Sequence, residues 1–189
     1  MSNISFVPRA SAAFAIAMLG VCPLSRAQAP AAAIPATRAT TLTGALVVLP
    51  DAVKGKVGVL VVGFTKDSKA PIQAWGKRLA ADYPDTSGVV YYEMPVLASA
   101  PALVRVTIEE QMKLSLTATE RAHFLPVTQN EAGWLAAAHY VKGDDAYVLL
   151  IGGDGAVRWQ TQGPVTDANY TQLKGKIAEM QAAIGARVH

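Results

Sequence analysis

The stretch Lys56–Leu79, KVGVLVVGFTKDSKAPIQAWGKRL, sets the reading of the whole chain. Val57–Phe64 is a continuous apolar run, rich in β-branched residues and too short for a buried helix, so it predicts a strand covered on both faces. A short polar turn follows. A helix then begins near Pro71, with Ile72, Trp75, Leu79 and Tyr83 spaced by three and four. A central strand that delivers a helix through a polar turn is where many α/β proteins keep their chemistry, so this turn is the first place to look for function.

On the N-terminal side, Ala45–Leu49 predicts a first strand, ended by Pro50-Asp51 and joined to the central run by the turn VKGK. On the C-terminal side, Tyr83–Gly88 reads as a loop and Val89–Val96, VVYYEMPV, as a second core strand. Pro101 opens a predicted helix over Pro101–Lys113, where Val104, Ile108 and Met112 fall at helical spacing, although RVTI also fits a strand. Leu114–Ala122 is ambiguous. His123–Val127 suggests a short strand, and Asn130 is placed to cap a helix carrying Trp134, Leu135 and Ala138. Ala146–Ile151 and Ala156–Gln160 read as a hairpin joined by Gly152-Gly153-Asp154-Gly155. Strict alternation there puts Val157 and Trp159 on one face and Arg158 on the other. Thr166 can cap a last helix with the stripe Tyr170, Leu173, Ile177, Met180 and Ile184. Gly175 inside it costs ~1 kcal/mol relative to Ala.

With 189 residues, 51% hydrophobic and 16% charged, the chain is one domain's worth and can bury a sizeable core. Its net charge of +3 includes no long basic run and no basic patch interleaved with aromatics, which argues against nucleic acid. Residues 1–29 read as a secretory signal: Arg9, then the apolar stretch Ala10–Leu24, then Ala27-Gln28-Ala29 as a small-x-small cleavage site. Pro30 disfavours cleavage directly before it, which makes Ala31 a second option. A retained membrane anchor is one alternative, although the run is shorter than the ~20 residues that span a bilayer. A lipoprotein signal at Cys22 is another, with Val21 bulky where a small residue is expected. Residues 30–41, rich in Ala, Pro and Thr, read as a flexible linker before a domain at 42–189. Cleavage would remove Arg9, Arg26 and no acid, leaving 15 basic against 14 acidic residues. It would also remove Cys22, the only cysteine, which excludes a disulfide framework, a thiol nucleophile and a thiolate metal site from the exported chain.

The order strand, strand, helix, strand, helix, short strand, helix, hairpin, helix is the outline of a thioredoxin-like α/β fold, a mixed sheet flanked by helices. Leu49-Pro50-Asp51 through Gly55-Lys56, the central strand and the helix near Pro71 resemble the opening of redoxin and periplasmic thioredoxin-like proteins. On that pattern Ser68-Lys69-Ala70-Pro71 stands where the redox Cys-x-x-Cys would be, and the usual cis-proline position falls at about Ala146. The resemblance implies the fold, while the missing cysteines imply no thiol oxidoreductase activity. The hairpin residues Tyr147–Ile151, Asp154-Gly155, Val157-Arg158-Trp159, with Gly163 and Thr166-Asp167, resemble the end of the mitochondrial ATP-synthase assembly-chaperone family, the "ATPase complex subunit ten" type. That resemblance implies an assembly role toward a membrane sector.

The candidate sites divide along these lines. Ser68 at a helix start invites an anion or a nucleophile, but a serine needs a base. His123, His139 and His189 are the only histidines, and none is tied to it by sequence. A capping role for Asp67 or Ser68, with Pro71 in the first turn, is the simpler reading. His123, His139 and Glu131 match no metal spacing, so no metal or cofactor is expected. Glu109-Glu110 and Asp144-Asp145 are sequence neighbours and do not face one another as catalytic pairs. The Gly152–Gly155 turn leads into a strand, whereas a phosphate cradle needs a helix. Trp75, Trp134 and Trp159 read as core residues, and Arg158 reads as either a partner contact or an ion-paired surface arginine. The sequence therefore predicts a periplasmic or secreted, non-catalytic protein that binds another protein through Arg158 and Trp159, with a membrane protein as a possible client. The alternative is a cysteine-independent peroxide- or ester-processing enzyme using Ser68 and Thr65.

Overall fold

The computed structural model describes residues 32–186. The expected signal at residues 1–29 and Cys22 lie outside the described residues.

The apolar run forms β3, Val57–Gly63, with every residue buried. It is the second strand of a four-stranded sheet in the order β4-β3-β5-β6. β4, Val89–Pro95, runs parallel to it, with Val59 beside Tyr91 and Val61 beside Glu93. β5, Tyr147–Ile151, is antiparallel to β3, and β6, Val157–Gln162, is antiparallel to β5. Successive β3 side chains enter opposite cores. Val57, Val59 and Val61 meet Ile72, Trp75 and Leu79 of α1, Lys69–Asp82, and Leu173 and Ile177 of α5, Asp167–Gly185. Leu60 and Val62 meet Leu49, Met94, Leu125 and Trp134 on the other side. Burial of each such Val or Leu is worth ~1.5–3 kcal/mol, which is why the sheet is organised around this strand.

The predicted helix spacing holds. The Trp75 indole N–H donates to Gly163 O at 3.0 Å, tying α1 to the loop before α5. Thr166 caps α5 in a reciprocal box with Asn169, and the Tyr170 hydroxyl donates to Arg78 O at 2.8 Å. Pro101 is the N-cap of α2, Ala102–Ser115. The ambiguous stretch resolves into the end of α2 and a short α3, Ala118–His123, started by a Thr117–Glu120 capping box. α4, Glu131–Ala137, is capped by Asn130, which accepts from Gly133 N.

Three expectations are corrected. The stretch read as a linker is structured from Ala33 onward: β1, Thr37–Thr40, pairs antiparallel with β2, Leu46–Leu49, and Ala33 bridges Ala156. Its backbone finds partners in the hairpin and β2, which composition does not reveal. His123–Val127 is not a strand of its own. His123 ends α3, and Phe124 and Val127 only bridge Glu93 and Val96 at the edge of β4. In the hairpin, an irregularity pairs Leu150 with Trp159 and Ile151 with Val157, leaving Arg158 as the extra residue. This bulge breaks the alternation. Val157 packs into the core around Trp134, Trp159 packs into the core around Trp75, and Arg158 turns toward Met180 and Ile184 of α5.

Candidate functional site

At the C-terminal end of β3 the chain passes through Phe64 and Thr65 into a 3-10 turn, Lys66–Ser68, that runs directly into α1. Ser68 is only 1% exposed, and its hydroxyl donates to Thr65 O at 2.7 Å. The approach is close enough to require Gly63: a Cβ there would lie 2.2 Å from Ser68 Oγ and 2.3 Å from Ile72 Cδ1. Pro71 sits in the first turn of α1, but neither Asp67 nor Ser68 provides the cap. Thr65 caps the preceding 3-10 turn instead, accepting from Asp67 N at 3.2 Å. The cap falls two or three residues earlier than expected because the 3-10 turn and the helix are continuous.

The Thr65 hydroxyl also donates to Gly143 O at 2.6 Å, fastening the loop before β5 over the turn. The Tyr147 hydroxyl gathers that loop, accepting from Val141 N and Lys142 N and donating to Lys142 O, each at 2.9 Å. Phe64 meets Tyr140 and Tyr147 edge-on at 5.1 and 5.6 Å. Ala146 lies directly before β5 and is fully buried. Among the described residues no base accompanies Ser68. His123 Nδ1 is 3.2 Å from Tyr91 O, and His139 Nδ1 is 2.7 Å from Gln160 Nε2. Among the described residues, no three His, Cys, Asp or Glu side chains are grouped to hold a metal. The paired acids are occupied elsewhere, with Glu110 on Lys113 and Asp144 and Asp145 on Lys142.

Arg158 is exposed and paired with Asp154. It borders an open depression of about 550 Å³ together with Lys56, Glu179 and Met180. Its charges are mixed. The structure does not bring Arg158 and Ser68 to one site.

Two features escaped the sequence reading. The first is a hollow of about 290 Å³ between the start of α1 and α2. Phe64, Ile72, Val96, Ile108, Met112 and Phe124 line it, with Ser68 at its edge and Lys66, Lys69 and Gln111 also bordering it. No residue of α2 is fully buried, and on its other side Leu103 and Leu114 are 84% and 88% exposed. The second is Glu93, in the middle of β4 and 4% exposed. Its carboxylate lies where a Cβ on Gly76 would come within 2.1 Å, and its Oε2 has no hydrogen-bond partner among the described residues. Burial, with the Glu120 charge adding to it, pushes the carboxyl up to about 8. Next to it, Tyr91 is pushed up to about 12, chiefly by burial, and stacks on His123 at 4.0 Å. A glutamate in an otherwise apolar strand was the available signal for this second feature.

No family model and no curated protein matches the chain. Solved structures do. StoA from Bacillus subtilis superposes with a TM-score of 0.51 at 17% identity, over 75% of this chain and 97% of that one. BsSco, a member of the Sco family of cytochrome c oxidase assembly proteins, gives 0.56 at 16% identity, over 80% and 95%. A putative thiol:disulfide interchange protein DsbE from Chlorobium tepidum gives 0.53 at 19% identity, over 82% and 97%. The chain has a thioredoxin-like fold. At these identities the likeness carries the fold alone, and it lends no support to the hairpin's resemblance to the ATP-synthase assembly chaperones.

Proposed function

We propose that this is an exported, non-catalytic thioredoxin-fold protein that works by binding another protein, in an assembly or chaperone role. The observation that carries the reading is the state of the redox position: Ser68 is buried, its hydroxyl is committed to Thr65 O, and the sequence holds no cysteine beyond Cys22. A nucleophile needs exposure and a base; Ser68 is buried and has no base beside it among the described residues. The outward side chains of α2, Leu103, Val106 and Leu114, supply apolar contact area for a client. The exposed Arg158 beside Trp159 offers a second contact at the hairpin, and a membrane protein remains the client class that the assembly-chaperone resemblance implies.

The test has two arms on the full chain. Disulfide reductase, peroxidase and esterase assays are expected to give no turnover, and turnover lost in Ser68→Ala overturns the non-catalytic reading. Photo-crosslinkers at Leu103, Leu114 and Arg158, compared with one at exposed Lys174 in α5, are expected to capture a defined protein in cells. Equal capture at all four positions overturns the docking assignment.

A further inference from the structure

We infer that the hollow between α1 and α2 binds one aliphatic monocarboxylate with a straight chain of medium length, its tail under α2 and its carboxylate at Lys66 and Lys69. The hollow is partly open to solvent, and at about 290 Å³ it lies at the lower edge of the ~300–1,000 Å³ of small-molecule pockets. The inward stripe of α2 is correspondingly incomplete: Ile108 and Met112 face the hollow yet stay only half-buried. Water gains little there, because the deep wall formed by Ile72, Val96, Met112 and Phe124 offers it no hydrogen bonds. That space admits one alkyl chain of medium length, for which decanoate serves as the probe.

The charged side chains fix the orientation. The polar lining consists of Thr65, Lys66, Ser68 and Lys69 at the α1 turn with Ser99 and Gln111, and only the two lysines carry charge. Lys66 and Lys69 make no ion pair among the described residues, and the one acid between them, Asp67, pairs with neither, leaving a net positive charge at this end of α1. Two lysines at a helix N-terminus favour an anion over a neutral or cationic head of the same length. The site uses the inner side of α2, so it stands apart from docking on Leu103 and Leu114.

The test titrates the full chain with decanoate, 1-decanol and decyltrimethylammonium, read by calorimetry and by the Met112 methyl resonance. The expected result is a single saturable decanoate site with a Kd on the order of 10 µM. Decanol is expected to bind at least tenfold more weakly, and the cation not at all. Lys66→Glu with Lys69→Glu should weaken decanoate at least fivefold and leave decanol unchanged. Met112→Trp and Ile108→Trp, which fill the hollow from two positions, should each weaken decanoate at least tenfold. Should either tryptophan variant misfold, the Met112 methyl shift in the unmodified protein decides. Decanoate and the cation binding alike, an unmoved Met112 methyl at saturating decanoate, or an apolar peptide shifting Met112 where decanoate does not, would each overturn the assignment.

Discussion

Replacing Glu93 by Gln should remove a large part of the pH dependence of folding stability. In the folded protein the Glu93 carboxyl is raised from 4.5 to about 8 by burial, with Glu120 adding to it. In the unfolded chain it titrates at its ordinary value. Below about pH 4.5 both states hold the proton and the residue contributes no pH dependence. Between about 4.5 and 8 the unfolded chain gives up the proton while the folded chain keeps it, so stability falls by ~1.4 kcal/mol for each pH unit. Above about 8 both states are ionised and the loss levels off. The full loss is on the order of 3–5 kcal/mol, a large share of the ~5–15 kcal/mol that holds a typical domain together.

Gln keeps the shape and cannot ionise. Urea unfolding followed by the fluorescence of the fully buried Trp75 and Trp134, from pH 4.5 to 9, gives both stabilities. Glu93→Gln should match wild type within about 1 kcal/mol near pH 4.5 and exceed it by ~3–5 kcal/mol at pH 9. Taking the difference isolates Glu93 from other acids. Asp82, held low mainly by its hydrogen bond from Lys174, and Glu120, held low by the Thr117 backbone and side chain, lose stability only toward acid pH, and they do so in both proteins. A difference that stays flat from pH 5 to 9, or that favours wild type as pH rises, refutes the assignment of an unpaired buried carboxyl.

Gly76→Ala places a methyl 2.1 Å from Glu93 Oε1 and should cost ~1–3 kcal/mol by urea unfolding, a cost that falls by more than half when Glu93 is also Ala. Trp75→Phe loses the 3.0 Å bond to Gly163 O and part of the packing between α1 and α5, with an expected loss of ~2–4 kcal/mol in the same assay. Arg158→Ala breaks only an exposed pair with Asp154 and should change stability by less than about 1 kcal/mol, less still at 1 M salt.

The sequence made legible whatever depended on one element's own pattern. β3 was readable because a strand covered on both faces has no polar position to interrupt it, and α5 because Thr166 and its apolar stripe mark both its start and its inner face. What depended on a partner was hidden. TRAT at Thr37–Thr40 has no apolar period, and it is a strand only because β2 supplies the ladder. Arg158 looked outward because alternation assumes a regular ladder, and the single extra residue moved it to the side of α5. α2 was correctly a helix, but it carries apolar residues on both sides: Ile108 and Met112 toward the hollow, Leu103 and Leu114 toward solvent. Spacing alone does not say which side is covered.

The same limit separates Ser68 from Glu93. Ser68 occupies a position that resemblance marks as chemical, yet a hydroxyl that can donate to a carbonyl one turn back is satisfied by burial, and the turn becomes a structural joint. A carboxylate has no such economy. It is an acceptor only until it takes up a proton, and Glu93 has Gly76 in front of it, Glu120 nearby and no donor for Oε2. A buried acid without a partner lowers stability at neutral pH, whereas a valine at the same position would not. The fold therefore accounts for Ser68 and leaves Glu93 unexplained, which places the residue most informative about this protein in β4 and not in the turn at the end of β3.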